Sequence, residues 1–223
     1  MAFTAQDVKA LREKTGVGMM ECKKALVEAD GDMDKAVDFL RERGLAAAAK
    51  KATRIAAEGV VLPYYDAEAK KGVVVEVNSE TDFVAKNEKF MSFVEGVAKT
   101  ILATNPADVE ALKEEKFDGT DRTVTETLND LVLSIGENMK VRRFERMDGI
   151  VSTYIHGGGS VGVMVGFDVA DESKAATAEF DAMGKNVAMQ IAAMNPIAID
   201  EDGVSEEVKQ KETVNRCTSL AVS

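Results

Sequence analysis

The chain has 223 residues, of which 45% are hydrophobic and 30% charged, and its formal net charge is −11 at pH 7. This length corresponds to one or two domains, and the acidic balance disfavours direct nucleic-acid binding, which ordinarily uses a basic face. With one histidine, the sequence excludes zinc fingers and any metal site that needs two histidines from one chain.

Three short amphipathic helices are predicted over residues 1–44. Thr4, with Asp7 three residues on, matches a capping box at the start of the first helix. A pair of glycines separates the first helix from the second, and Asp32 is placed to cap the third. We expect the third helix to end at Gly44, because glycine commonly follows the last turn of a helix.

A linker helix and a β-hairpin are predicted next. Residues 45–58 are rich in alanine and basic residues, so a helix there would bury little surface. After residue 58 the apolar residues recur at every second position, which predicts strands over residues 60–65 and 72–78. Alternate valines of the second strand would face the core, with Glu76 and Asn78 on the opposite side.

The rest of the sequence combines long helices with further strands. A helix is predicted from Thr81 to Thr104, and a capping box predicts another that starts after Thr123. Asp148-Gly149 is typical of a tight hairpin turn. The remaining predicted elements are strands over residues 141–147, 150–155 and 161–169 and a long helix over 173–194.

These elements predict the α+β fold class. Both long helices end at an Asn-Pro pair, Asn105-Pro106 and Asn195-Pro196. This match fits two related subdomains, but Asn-Pro is also a common helix stop, so both interpretations stay open. The predicted units are a helical module over residues 1–44, a linker over 45–58, core subdomains over 59–140 and 141–204, and a tail over 205–223.

No residue pattern indicates a catalytic or cofactor site. Residues 157–160 (GGGS) lack the Lys-Ser/Thr of a phosphate-binding loop and lead into a strand, so they predict a flexible hairpin tip. His156 at this tip is either a plain loop residue or a contact with a partner. With no nucleophile, metal-ligand cluster or cofactor motif, the sequence does not favour an enzyme.

Two apolar features are candidates for partner contact. Met19 and Met20 cannot both face the core, because adjacent helix residues point about 100° apart. One of them is therefore a flexible apolar contact or part of a frayed helix end. Thr81 is a candidate helix cap. Phe83 follows it and is either the first core residue of the helix or an exposed wedge, and the residues alone favour the core.

Location follows from the cysteines and the apolar runs. Cys22 and Cys217 are far apart and form no CxxC pair, which favours a reducing compartment. No apolar run reaches the roughly 18 residues of a membrane span, and the N-terminus does not look like a signal peptide. We expect a cytoplasmic protein that does not enter membranes.

Two stretches resemble the signatures of the bacterial elongation factor Ts family. The first is LREKTGVGMMECKKAL at residues 11–26, and the second is EVNSETDFVAK at residues 76–86. They occur in the family's order and separation. The resemblance runs from Ala5 to about Gln210 and includes YIHG at residues 154–157.

The resemblance implies a fold and a partner. The first three helices would form a ubiquitin-associated-like module, followed by a linker helix and a core of two related subdomains, each a small antiparallel sheet packed on helices. The partner would be GDP-bound elongation factor Tu, from which members of this family promote GDP release in translation elongation. No active site, cofactor or metal of its own would be needed, and a homodimer in the complex stays open.

The resemblance also implies roles for individual residues. Arg12, Met19 and Met20 match positions that contact the GTPase domain of elongation factor Tu, and His156 matches a position that contacts another of its domains. The segment of Thr81, Asp82, Phe83 and Val84 matches the one that displaces Mg²⁺ from the GTPase. Under the resemblance, Phe83 is therefore an exposed wedge.

The end of the sequence departs from the family pattern. Long members continue after residues 206–208 into a helical coiled-coil hairpin, whereas residues 211–223 (KETVNRCTSLAVS) match no family pattern that we recognise. The tail is native, truncated or frame-shifted. The alternative function is a module that binds elongation factor Tu but exchanges poorly because a C-terminal part is missing.

Overall fold

The computed structural model describes residues 3–212. No helix in this range is both long and apolar enough to cross a membrane. A further helical stretch covers residues 206–212, and the end of the predicted tail, with Cys217, lies outside the described residues. The elements, in chain order, are α1 Ala5–Thr15, α2 Met19–Glu28, α3 Met33–Lys51, β1 Glu58–Asp66, β2 Lys71–Ser79, α4 Asp82–Ala85, α5 Glu88–Thr104, α6 Val109–Glu114, α7 Val124–Ile135, β3 Met139–Asp148, β4 Ile150–His156, β5 Val161–Phe167, α8 Glu172–Ala175 and α9 Ala178–Met194.

The predicted α+β class is confirmed. The strands form two antiparallel sheets, one of order β1-β2-β3 and one of β4-β5, and α5 and α9 each pack against one of them. The alternate valines of β2 meet the apolar stripe of α5 in the main hydrophobic core. The residues that form this contact, all fully buried, are Val73, Val75, Val77, Phe90, Val94, Val97 and Ile101.

The first three helices have a hydrophobic core of their own. The predicted capping box forms, since the Thr4 N–H donates to Asp7 Oδ2 at 2.7 Å and the Asp7 N–H donates to Thr4 Oγ1 at 3.3 Å. Leu11 and Leu26 lie at the centre of the bundle. Leu133 of α7 packs against the same cluster, so the bundle is joined to the rest of the chain by apolar contact.

The predicted helix end at Gly44 is wrong, because α3 continues through this residue to Lys51. The first residues of the predicted linker helix are therefore the last turns of α3. Gly44 is buried, and a Cβ added to it would lie 3.4 Å from the backbone oxygen of Asn129 in α7. The glycine allows close helix packing here and does not end the helix.

The single helix predicted over Thr81–Thr104 is wrong, because the chain breaks it into α4 and α5. Asn87 has extended backbone, and its Oδ1 accepts a hydrogen bond from the Lys89 N–H at 2.9 Å, which makes it the cap of α5. The helix predicted over residues 173–194 is divided in the same way into α8 and α9.

The order β1-β2-α4-α5 recurs as β4-β5-α8-α9, whereas α6 and α7 lie between the two copies. α4 and α8 have four residues each, and α5 and α9 have 17 each. Both long helices end at an asparagine in the left-handed conformation, Asn105 and Asn195, which lie 90 residues apart. The start of α8 follows the start of α4 at the same spacing. These matches support the relation between subdomains over the chance occurrence of Asn-Pro.

The hairpin predicted at Asp148-Gly149 is wrong, because β3 pairs with β2 and β4 pairs with β5. The Gly149 N–H donates to the Lys70 oxygen at 2.8 Å, so the chain passes here from one sheet to the other. The two sheets stack closely. A Cβ on Gly162 of β5 would lie 2.7 Å from Val61 of β1, which only glycine avoids.

Glu76 and Asn78 lie on the opposite side of β2 from Val75 and Val77, as predicted, and both are buried. Glu76 accepts hydrogen bonds from Arg142 Nη1 at 2.9 Å and Arg143 Nε at 2.7 Å. Asn78 Nδ2 donates to Glu76 Oε1 at 3.2 Å. A buried carboxylate is tolerated here because two guanidinium groups neutralise it.

Candidate functional site

The short helix α4 presents one apolar side chain to solvent. Phe83 is 80% exposed, whereas Val84 beside it is 5% exposed and belongs to the main core. The residues of the chain alone favoured the core for Phe83, and that interpretation is wrong. Because Val84 and not Phe83 occupies the core, the phenyl ring is free to contact another molecule.

Asp82 opens α4 and is exposed as well. Lys86 Nζ donates to Asp82 Oδ2 at 2.9 Å, one helical turn away. The hydrogen bond and the charge of Lys86 hold the pKa of Asp82 below its usual range. The carboxylate is therefore ionised at neutral pH, beside the exposed phenyl ring.

Thr81 stands at the predicted cap position of α4 but makes no side-chain hydrogen bond to the helix. Its hydroxyl donates to Glu137 Oε1 at 2.8 Å, and its N–H donates to Glu137 Oε2 at 3.0 Å. Sequence reasoning missed Glu137, since 56 residues separate the pair and no local signal connects them.

Met19 and Met20 begin α2, and both are exposed, at 51% and 65%. Gly18 occupies the cap position before them and offers no side chain. Arg12 is exposed on α1, near the turn that connects the two helices. This corner of the bundle therefore combines two flexible apolar side chains with one cation.

The same corner is tied to the core close to α4. Lys89, in the first turn of α5, donates through Nζ to the Gly16 oxygen at 2.8 Å, and Ser134 Oγ donates to that oxygen at 3.3 Å. Gly16 is in the turn before Met19, and Lys89 is a few residues after Phe83. These hydrogen bonds join the turn before α2 to the start of α5, the helix that follows α4.

His156 ends β4 and is exposed. The Tyr154 hydroxyl lies 3.2 Å from His156 Nδ1, which steadies the imidazole ring. The turn after it is anchored, contrary to the expected flexible tip. Gly159 is buried, and its oxygen accepts from the Val61 N–H of β1 at 2.7 Å. Strand β1 contacts both α4 and the two strands of this hairpin.

Comparisons with known proteins show the family of the chain. The family model described as elongation factor Ts matches residues 80–220. The chain belongs to the elongation factor Ts family. The match begins at the residue before Thr81 and extends to residue 220, so the resemblance does not end at about Gln210 as expected. Membership places the chain among translation elongation factors.

Individual members of the elongation factor Ts family are similar over most of the chain. A protein of that name from Clostridium perfringens is 54% identical over 213 residues, which cover 94% of this chain and 69% of the relative. One from Syntrophotalea carbinolica is 52% identical over 215 residues, with 95% and 69% covered. One from Clostridium novyi is 50% identical over 213 residues, with 94% and 68% covered.

Within residues 3–212, no group of three or more histidine, cysteine, aspartate or glutamate side chains is arranged to hold a metal ion. Cys22 is buried, and burial raises the pKa of its thiol. The exposed residues of this part of the chain offer apolar contact at Phe83, Met19 and Met20 and charge at Asp82 and Arg12.

Proposed function

We propose that the protein binds GDP-bound elongation factor Tu and promotes GDP release as a guanine nucleotide exchange factor. The observation that carries this proposal is the exposed Phe83 on a helix that Val84 anchors in the core. It lies within the second signature of the family, EVNSETDFVAK at residues 76–86.

The apolar tip is the part that disturbs the nucleotide site. Burial of a phenylalanine side chain in a partner contributes about 2–3 kcal/mol. If this contact requires elements beside the nucleotide to move, that free energy is set against GDP binding. A coupling of this size weakens the affinity of the GTPase for GDP by roughly 30- to 150-fold. By the same ratio, bound GDP weakens the affinity of the GTPase for the factor.

The Mg²⁺ of the partner is the target of the disturbance. Backbone amides of a phosphate-binding loop and a divalent cation hold the phosphates of GDP in such GTPases. Insertion of the segment Thr81 to Val84 shifts the elements that carry the Mg²⁺ ligands, and the ionised Asp82 lies next to the ring that inserts. GDP then leaves without any bond being made or broken, so the factor needs no catalytic group.

The other exposed residues supply affinity. Met19 and Met20 adapt their shape to an apolar surface of the GTPase domain, and Arg12 adds a charged contact beside them. His156 contacts a second domain of the partner from the anchored hairpin. The protein acts in the cytoplasm, where translation elongation takes place, and does so without direct contact to nucleic acid.

The test is release of a fluorescent GDP analogue from purified elongation factor Tu, with and without this protein. We expect release to accelerate by at least tenfold at saturating concentration. Binding in a pull-down with an unchanged release rate would contradict exchange and select a module that only binds. A lack of both binding and acceleration would overturn the proposal altogether.

A further inference from the structure

The start of α4 is held from outside the helix. Thr81 has the extended backbone of a cap residue, yet its hydroxyl accepts nothing from α4 and donates to Glu137. Apart from Gly18, which has no side chain, the caps of the other helices numbered above do accept a hydrogen bond from their own helix. They are Thr4, Asp32, Asn87, Asp108, Thr123, Asp171 and Thr177.

The second copy of the repeat shows that this arrangement is not required by the fold. Asp171 precedes α8 as Thr81 precedes α4, at the same spacing of 90 residues. Its Oδ1 accepts from the N–H of Ser173 at 3.1 Å, so α8 is capped by its own residue. Ser173 also stands where the first copy has Phe83. The external hold and the exposed ring therefore occur together in the first copy.

Glu137 is itself firmly placed. It follows Gly136, which ends α7 in the left-handed conformation with φ 93°, and it precedes β3. The next residue, Asn138, is buried and donates through Nδ2 to the Arg54 oxygen at 2.8 Å. Its N–H donates to Glu80 Oε1. Glu80 and Thr81 are thus both held by the connection between α7 and β3.

We propose that Glu137 is a positioning residue, which fixes Thr81 through two hydrogen bonds and so orients Phe83 for the exchange step. This inference rests on the proposed function. A carboxylate that accepts from both the backbone N–H and the hydroxyl of one residue fixes its position and its rotation. Without these two hydrogen bonds, Phe83 would stay exposed, but its ring would no longer be oriented for insertion into the partner.

The experiment is a double-mutant cycle on GDP release. Glu137→Ala removes both acceptors and is expected to lower the maximal release rate by about tenfold, with a smaller change in the half-saturating concentration. In the Phe83→Ala background, Glu137→Ala should have no further effect, because the oriented group is gone. Independent, multiplying effects of the two substitutions would overturn the inference.

Two further variants separate positioning from stability. Glu137→Gln retains an acceptor for the Thr81 N–H and an amide donor for its hydroxyl oxygen, so it should restore most of the rate. Glu126→Ala removes the same kind of contact, a carboxylate on the N–H of Thr123 at 3.0 Å, from the other end of α7. It should lower the melting temperature but leave the release rate unchanged. If Glu126→Ala lowered the release rate as much as Glu137→Ala does, the inference would be overturned.

A measurement on the protein alone keeps the inference separate from the proposed function. If the wild type does not accelerate GDP release, the proposed function fails, and amide hydrogen exchange still tests the hold. Glu137→Ala should speed exchange of the Thr81 N–H by about tenfold or more, and an unchanged rate would overturn the inference. If Glu137→Ala does not fold, Thr81→Val removes the hydroxyl alone and should also lower the maximal release rate. If Thr81→Val released GDP at the wild-type rate, the positioning role of Glu137 would be contradicted.

Discussion

Phe83 and Val84 are consecutive residues of α4 with opposite surroundings. The phenyl ring is almost fully exposed, whereas the valine is buried in the main core. Adjacent helix residues point about 100° apart, so one short helix serves both purposes. Because Val84 packs in the core, the helix that carries the exposed Phe83 ring is fixed to the rest of the fold.

Because only Val84 is in the core, truncation of the two side chains should affect stability to very different extents. Val84→Ala leaves a cavity in the core and should lower the free energy of unfolding by about 1–3 kcal/mol. Phe83→Ala should change it by less than about 0.5 kcal/mol. Urea unfolding of both variants measures this. A strongly destabilised Phe83→Ala variant would mean that the ring is structural.

The methionines at the start of α2 should govern affinity rather than maximal rate. The double variant Met19→Ala/Met20→Ala is expected to raise the half-saturating concentration in the GDP-release assay by about tenfold. Met194→Ala is the matched control, since Met194 is 68% exposed on α9 and has no role in the proposal. A similar effect of both variants would contradict a specific contact at α2.

The sequence predicted the elements well where the signal is local. Capping boxes at Thr4 and Thr123 and the alternate valines of β2 depend on neighbours within a few residues, and the structure confirms them. The break between α4 and α5 was missed because the apolar stripe of the helix outweighed the cap signal of Asn87.

Long-range packing limited the rest. Gly44 was predicted to end α3, but its lack of a side chain serves contact with α7. Glu76 is hydrogen-bonded by arginines of another strand, and Glu137 reaches Thr81 across 56 residues. The exposure of Phe83 depends on whether Val84 can occupy the core instead, which periodicity does not reveal.

Glu76 should make stability depend on acid pH. Burial alone would raise the pKa of Glu76, but hydrogen bonds from Arg143, Arg142 and Asn78 outweigh it and lower the pKa below the ordinary value of 4.5. The contribution of this carboxylate is therefore complete above pH 4.5 and is lost as the pH falls through the lower folded value.

Glu76→Gln tests this contribution. At pH 7 it should lower the free energy of unfolding by about 1–2 kcal/mol, a modest value because both arginine side chains are largely exposed. The difference from wild type should shrink below pH 4. Glu145→Gln, at an exposed position of β3, is the control. A difference that stays constant with pH would contradict a role for the charge.

Gly96 should be intolerant of a side chain. A Cβ there would lie 2.1 Å from Cζ of Phe117, whose ring stacks on Phe93 at 5.5 Å. Alanine ordinarily stabilises a helix relative to glycine, but here Gly96→Ala should cost about 1–3 kcal/mol. Thermal unfolding measures this, and Phe117→Leu in the same chain should recover part of the loss. A stabilised Gly96→Ala variant would show that the ring moves freely.

The most direct test of the central claim compares the wild type with Phe83→Ala in release of a fluorescent GDP analogue from elongation factor Tu at saturating factor concentration. The exposed ring predicts that the wild type accelerates release and that Phe83→Ala loses at least tenfold of the maximal rate while still binding. Equal maximal rates for the two proteins would contradict the claim that Phe83 drives GDP release.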